Sequence, residues 1–300
     1  MYVVYHSDKF RAFSPLFVEG IMHTPHLIGV TFSLHAHAFD LFSRDQVSVR
    51  RQLELADGVV TISEYHRQYI ADLCSRWSQH DIKIVHYGLD PNEFTSESVP
   101  AADDEMRILS VGSLVEKKGH EYLIDACALL ADQGLAFHCS IVGSGPLESE
   151  LRARIDRNRL QGRVSLLGPK IQAEVKYLYR HSDIFVLACI VAENGDKDGM
   201  PNVLLEAMVS QLLVVTTPIA GIPELVHHGK TGLLVPEKDC LALARALKQL
   251  MQDEHLRHKL GECGRQKVFD GFNINHTTLD LADYFRQFKT FAQRAMSQRS

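Results

Sequence analysis

Asp198-Gly199-Met200-Pro201-Asn202-Val203-Leu204-Leu205-Glu206-Ala207-Met208 is an acidic turn that runs into an apolar helix. Directly upstream, Ile184-Phe185-Val186-Leu187-Ala188-Cys189 is an unbroken apolar run with the length of a strand buried on both faces. Strand, loop and helix in this order are the unit of a parallel α/β sheet. Pro201 is expected at the first helical position, where its missing amide has no intrahelical partner to lose. The free amides of Gly199 to Asn202 then face the loop, and with the positive end of the helix dipole they suit a phosphate or a ring of hydroxyls. Asp198 stands at that mouth, and Glu206 lies about two turns further in, on the helix row of Asn202 and Ser210. Two carboxylates so spaced can serve one ligand lying across the helix start. The plainer alternative makes Asp198 an N-terminal cap and Glu206 the solvated stripe of a buried helix. An EF-hand reading of Asn194 to Gly199 fails at its last ligand position, which holds Leu205 instead of a bidentate Glu.

Outward from this stretch, composition bounds the rest. A chain of 300 residues exceeds what one hydrophobic core usually fills, so two domains are expected. A net charge of −5 and a pI near 6.3 argue against a broad nucleic-acid surface. No apolar run approaches the ~20 residues that span a bilayer, and Met1 to Arg11 lack the basic start and apolar centre of a secretion signal. Cys74, Cys127, Cys139, Cys189, Cys240 and Cys263 form no CxxC pair, which suggests reduced core thiols in a cytoplasmic protein.

Strands and helices alternate along the chain, the pattern of a parallel sheet with crossover helices. The front half reads as a helix over Lys9 to Ile21, a strand Leu27 to Leu34, a helix Arg44 to Ala56, a strand Gly58 to Ile62, a helix Glu64 to Trp77 capped by Ser63, and a strand Ile82 to His86. About three strands before residue 90 are too few for a complete Rossmann-like domain. Tyr65, Tyr69, Arg76 and Trp77 read either as an aromatic inner stripe or as a contact for lipid headgroups. Thr95 to Glu105 is polar and acidic, like an interdomain linker. Then follow a strand Arg107 to Val111, the turn Gly112-Ser113-Leu114-Val115-Glu116-Lys117-Lys118-Gly119, a helix, a strand Phe137 to Val142 and the turn Gly143-Ser144-Gly145-Pro146. The last is either a ligand loop or a plain tight turn, because Glu148 replaces the third glycine of GxGxxG.

His35 and His37 sit two apart at a strand end and can share a face, with Asp40 nearby. Such a pair can bind a metal and hints at a metal-dependent hydrolase. The metallo-β-lactamase pattern, however, needs Asp at 39 and His at 41, where this chain has Phe39 and Leu41.

The stretch Asp198 to Met208, an acidic residue and a Glu separated by seven residues, resembles the nucleotide-sugar end of the retaining glycosyltransferases of family four. Asp198 stands where that family usually has Glu, and DGMPNVLLEAM looks most like its bacterial exopolysaccharide and lipopolysaccharide branch, of the colanic-acid type. The resemblance covers nearly the whole chain and is most specific from 107 to 236. It implies an α/β protein of the GT-B fold, two Rossmann-like domains with parallel sheets and the active site in the cleft between them. The implied division is 1–94 for a partial N-terminal domain, 95–106 for the linker, 107–272 for the nucleotide-sugar domain, and 273–300 for a helix crossing back onto the first domain, with Leu281, Tyr284, Phe285, Phe288 and Phe291 along its buried stripe.

By the same resemblance, a UDP- or GDP-sugar donor is bound without metal or other cofactor. Lys118 of the KKG turn matches a diphosphate contact, whereas Ser113 stands at the family's Arg position. Gly168-Pro169-Lys170 presents backbone to the nucleobase, and Gly199, Met200, Pro201 and Asn202 meet the sugar and phosphates. Asp198 would hold sugar hydroxyls, Glu206 the ribose, and His35 or His37 the reacting side with a saccharide or lipid-linked acceptor. A cytoplasmic site, peripheral at the inner face of the plasma membrane, fits such an acceptor. Family members carry a longer front, with a glycine-rich loop ahead of the strand at Leu27. The expectation is therefore an incomplete N-terminal domain: a truncated or split transferase whose missing half comes from another chain, or a donor-binding module whose activity is lost.

Overall fold

The computed structural model describes residues 3–5, 32–94 and 105–297, with backbone alone at 3–5, 32, 39, 40 and 288–297. The chain divides into two units, Met1–Gly88 with Ile274–Ser300, and Leu89–Asn273.

In the first unit β1 (Val3–Tyr5), β2 (Phe32–Ala36), β3 (Gly58–Thr61) and β4 (Ile82–Ile84) form a parallel sheet in the order β1-β2-β3-β4. Its helices are α1 (Ala38–Phe42), α2 (Gln46–Leu55) and α3 (Glu64–Leu73). Asp45 caps α2 by accepting from the Ser48 amide, and Ser63 caps α3 by accepting from the His66 amide. Leu34, Val49, Leu53, Val59 and Ile70 fill the core beneath them.

Several boundaries differ from expectation. β1 adds a fourth strand; its three residues are too short to carry a periodic signal. β2 continues past Leu34 to Ala36, because His35 and Ala36 pair with Val60 and Thr61, so His35 lies inside the strand. The helix expected over Lys9 to Ile21 and a strand start at Leu27 lie outside the described residues, as do 95–104 of the linker. α3 ends at Leu73 instead of Trp77. Trp77 is only 8% exposed and its indole Nε1 donates to the Leu53 carbonyl at 2.7 Å. Tyr69 packs edge-on against Phe42 and donates to Gln46. The aromatic inner stripe therefore holds for Tyr69 and Trp77, and Trp77 is not a lipid contact.

The second unit contains β5 (Met106–Val111), α4 (His120–Asp132), β6 (Phe137–Val142), α5 (Glu148–Arg157), β7 (Val164–Leu166), α6 (Gln172–Arg180), β8 (Ile184–Leu187), α7 (Asn202–Val209), β9 (Leu213–Thr216), α8 (Ile222–Leu225), β10 (Leu233–Leu234), α9 (Cys240–Gln252) and α10 (Glu254–Gly271). The strands are parallel in the order β10-β9-β8-β5-β6-β7. Strand order reverses between β5 and β8, and in a doubly wound sheet that switch point opens a crevice at the strands' carboxyl ends. Every residue of β8 is buried, as its apolar run requires. Leu89 to Phe94, expected with the first domain, belong here. The Leu89 amide donates to the Phe272 carbonyl, and buried Phe94 packs on Tyr179 under the Lys176 ammonium.

α11 (Ile274–Ser297) belongs to the first unit, where Tyr284 shares a hydrogen bond with Ser33 and Phe285 stacks on His35. The side chains of Phe288 and Phe291 lie outside the described ones. All six cysteines are free, but only Cys74, Cys127, Cys139 and Cys189 are buried; Cys240 is half-buried, and Cys263 on α10 is exposed, so the core-thiol expectation fails there.

At the switch point two glycines bring backbones into contact. Gly119 has φ 60°, and a Cβ there would lie 1.9 Å from the Ala188 carbonyl oxygen beyond β8. Gly143 would likewise drive a Cβ into the Gly112 carbonyl at 1.9 Å. The Gly143-Ser144-Gly145 turn is thus a close-packed support for the turn after β5. Gly119→Ala meets both a left-handed φ and a backbone clash, so it is expected to cost about 2–4 kcal/mol of stability. Urea unfolding checks this, and an unchanged midpoint would contradict the tight approach.

Candidate functional site

The loop after β5 and the loop after β8 are stitched together. Ile190 donates its amide to the Lys117 carbonyl at 3.0 Å, and the Glu193 amide donates to the Glu116 carboxylate at 2.9 Å. Across this seam the Lys118 ammonium lies 2.6 Å from Asp198 Oδ2, both side chains about one-seventh exposed (14% and 13%). Lys117 lies 2.9 Å from Asp196 and 4.0 Å from Asp198 Oδ1. Burial, the largest single influence, would lower the Lys118 pKa, but Asp198 together with Cys189 and Asp196 outweighs it and the net shift is upward. The Cys189 thiol donates to Asp198 Oδ2 at 3.5 Å, and burial, reinforced by that carboxylate, pushes its pKa well up. Asp198 is therefore an ion-pair partner, not the cap of α7.

Pro201 is the N-cap of α7, with ψ 127°, and not its first helical residue. The reason is tertiary: the Gly199 carbonyl is engaged by the Gly221 amide at 2.9 Å, which holds the chain extended one residue longer. Among the described residues, the amides of Gly199, Met200 and Asn202 donate to no protein acceptor, the condition under which a helix start can receive an anion or hydroxyls. Glu206, on the second turn, is half-buried and accepts from Tyr179 Oη at 3.0 Å. Burial raises its pKa, while the Tyr179 hydrogen bond and the nearby Lys176 charge oppose the rise. The stripe is thus only partly solvated, and the two carboxylates have separate partners, lysines for Asp198 and a tyrosine for Glu206.

Ser113 is exposed beside this seam, and its carbonyl accepts from the Val115 amide. Gly168 adopts φ 70°, which positions the loop after β7, and its carbonyl accepts from the Gly143 amide. Beneath the lysines, His120 is buried at the start of α4. Its Nδ1 lies 3.4 Å from Ser110 Oγ, and its Nε2 has no partner among the described residues. Burial, with the Lys118 charge next, lowers its pKa to about 4. Lys117, Cys189, Tyr179 and His120 escape a reading of the sequence. Only Lys117 carried a signal, its place in the KKG turn; the others become site residues by folding.

In the first unit His35 and His37 are both buried and line one cavity of about 240 Å³ with Thr61, His86, Tyr87 and Thr277. His35 stacks on Phe285, while His37 Nδ1 lies 2.5 Å from Tyr87 Oη and stacks on that ring. Aromatic rings thus hold both imidazoles, and Asp40's side chain is outside those described. No cluster of three or more His, Cys, Asp or Glu suited to a metal occurs among the described residues.

Two outcomes are expected from these environments. Between pH 6.5 and about 4 the unfolded chain binds a proton at residue 120 that the folded chain refuses. Stability therefore falls as pH drops through that window, by up to about 3 kcal/mol from this residue. In His120→Gln the thermal midpoint should lose that component of its pH slope; an identical slope would contradict it. Tyr179→Phe should cost about 1 kcal/mol and let the Glu206 pKa climb further. A carboxyl titration by NMR with an unmoved Glu206 midpoint would count against the contact.

Residues 91–267 match the family model for glycosyl transferases group 1, more than half of the chain. The amylovoran biosynthesis glycosyltransferase AmsK of Erwinia amylovora is 39% identical over 202 residues, 67% of this chain and 50% of that protein. A Salmonella typhimurium protein named for colanic acid biosynthesis, WcaL, is 39% identical over the same coverage. The chain spans about half the length of these curated relatives. Among solved structures, Anabaena Alr3699/HepE in complex with UDP aligns with a TM-score of 0.76 at 20% identity, covering 89% of this chain and 75% of that one, a likeness of fold. The α/β architecture with parallel sheets is that of GT-B glycosyltransferases, and with its family match the chain belongs to the glycosyl transferases group 1.

Proposed function

We propose that the chain acts in transfer of a sugar from a nucleotide diphosphate-sugar to an acceptor hydroxyl, with retained anomeric configuration, in assembly of a cell-surface exopolysaccharide. The observation that carries this reading is the switch-point seam. Two ammonium groups, a carboxylate and amides that donate to no protein acceptor among the described residues converge where an α/β sheet places a phosphorylated ligand. AmsK and WcaL, named for amylovoran and colanic acid biosynthesis, support the pathway class. The UDP in the HepE structure supports a nucleotide donor.

In this reading Lys118 and the amides of Gly199 to Asn202 hold the donor's diphosphate and sugar, with no metal called for. Asp198 accepts from sugar hydroxyls, Glu206 from the ribose, and Gly168 faces the nucleobase. The bond from the anomeric carbon to the leaving phosphate oxygen breaks while the acceptor oxygen bonds that carbon on the same face. The acceptor's proton passes to the leaving phosphate, so no protein nucleophile is required. Charge developing on the diphosphate is what preorganised cations and amides stabilise. His35 or His37 serves the reacting side, where the acceptor is a saccharide or lipid-linked saccharide. No helix among the described residues is long and apolar enough to cross a membrane, and an acceptor of that kind would be met at the membrane's inner face.

A second reading, donor binding without turnover, is favoured by exposed Ser113 at the family's Arg position. Calorimetric titration with UDP and GDP, without added metal, tests the site. Saturable binding of one is expected, and folded protein that binds neither would defeat both readings. Sugar transfer by the purified chain would then eliminate the second.

A further inference from the structure

Three donors converge on one carboxylate at the switch point. Lys118 Nζ lies 2.6 Å and the Cys189 thiol 3.5 Å from Asp198 Oδ2, while Lys117 Nζ lies 4.0 Å from Oδ1. The three charged side chains are between 13% and 18% exposed. A carboxylate so far withdrawn from water is costly unless donors surround it, and removing one partner leaves a poorly solvated charge.

A diphosphate therefore has to take Lys118 away from Asp198. Once Lys118 has turned to the phosphates, Asp198 has lost its nearest cation and faces a new anion. A sugar attached to that diphosphate brings hydroxyl donors that replace the lost ammonium. The bare diphosphate left after transfer brings none. We propose that Asp198 is a specificity-determining residue that favours the sugar-bearing donor over the spent nucleoside diphosphate by competing with it for Lys118. The inference rests on the reading of this seam as the donor site. It adds a consequence for turnover: when the sugar leaves, the carboxylate reclaims its lysine and the product is pushed out. Lys117, held by Asp196 at 2.9 Å, keeps a positive charge on the other oxygen while this exchange occurs.

Asp198→Asn keeps the shape and removes the charge, so its two effects have opposite signs. Titration calorimetry with UDP and UDP-glucose, and with GDP and GDP-mannose, measures both for the full chain. In the pair that the unmodified chain recognises, the variant is expected to bind the free diphosphate about tenfold tighter and the nucleotide sugar about tenfold weaker, each about 1.4 kcal/mol. Asp198→Glu, which restores the charge, should return the order of affinities to that of the unmodified chain. Misfolding weakens both ligands and cannot produce the crossing. Shifts of the same sign, or none, in a chain that binds the unmodified pair would overturn this inference alone. An unmodified chain that binds none of the four ligands would overturn the donor-site reading and this inference with it.

Discussion

The ammonium of Lys118 against the carboxylate of Asp198 joins the loops that follow β5 and β8, and the rest of the second unit is arranged to permit it. Gly119 lets the first loop lie on the Ala188 carbonyl. The Lys117 carbonyl and the Glu116 carboxylate receive amides from the second loop. Without those contacts two charged side chains could not be held this far out of water, since pairing has to offset their desolvation. The same withdrawal makes the pair responsive: an anion or a hydroxyl donor entering the seam changes the balance of a charge that water barely screens.

Glu206 is served differently. Its half-buried position raises its pKa, and the hydrogen bond from its neutral tyrosine partner opposes that rise. Asp198 is embedded among cations and Glu206 beside a phenol, so two carboxylates eight residues apart on one loop and helix have distinct chemistry. In the first unit the same economy appears at His35 and His37, whose imidazoles are oriented by Phe285 and Tyr87.

Where local pattern ruled, elements were legible. β6 spans Phe137–Val142, as expected, its polar His138 and Ser140 alternating with buried Phe137, Cys139 and Ile141, and Ser63 caps α3. Where a boundary was decided by a distant residue, it was not. α3 stops short because the Trp77 indole reaches the Leu53 carbonyl, and Pro201 stays outside α7 because Gly221 holds Gly199. Leu89 to Phe94 join the second unit through Phe272, Tyr179 and Lys176, contacts far along the chain that no local window contains.

By itself the amino-acid sequence determined the alternation of strand and helix, the strand–turn–helix frame of the acidic stretch, and the candidate residues Lys118, Asp198 and Glu206. The alternation and the frame follow from hydrophobic periodicity and from the backbone demands of glycine and proline, which act over a few residues, and the roles expected of the candidate residues follow from the family resemblance. Only the tertiary structure decided that Lys118 pairs with Asp198, that Tyr179 holds Glu206, that Cys189 touches the acidic turn and that His120 is kept neutral beneath the lysines. Each of these depends on strand order across the switch point and on burial, which set distance and dielectric between residues that the chain itself keeps far apart.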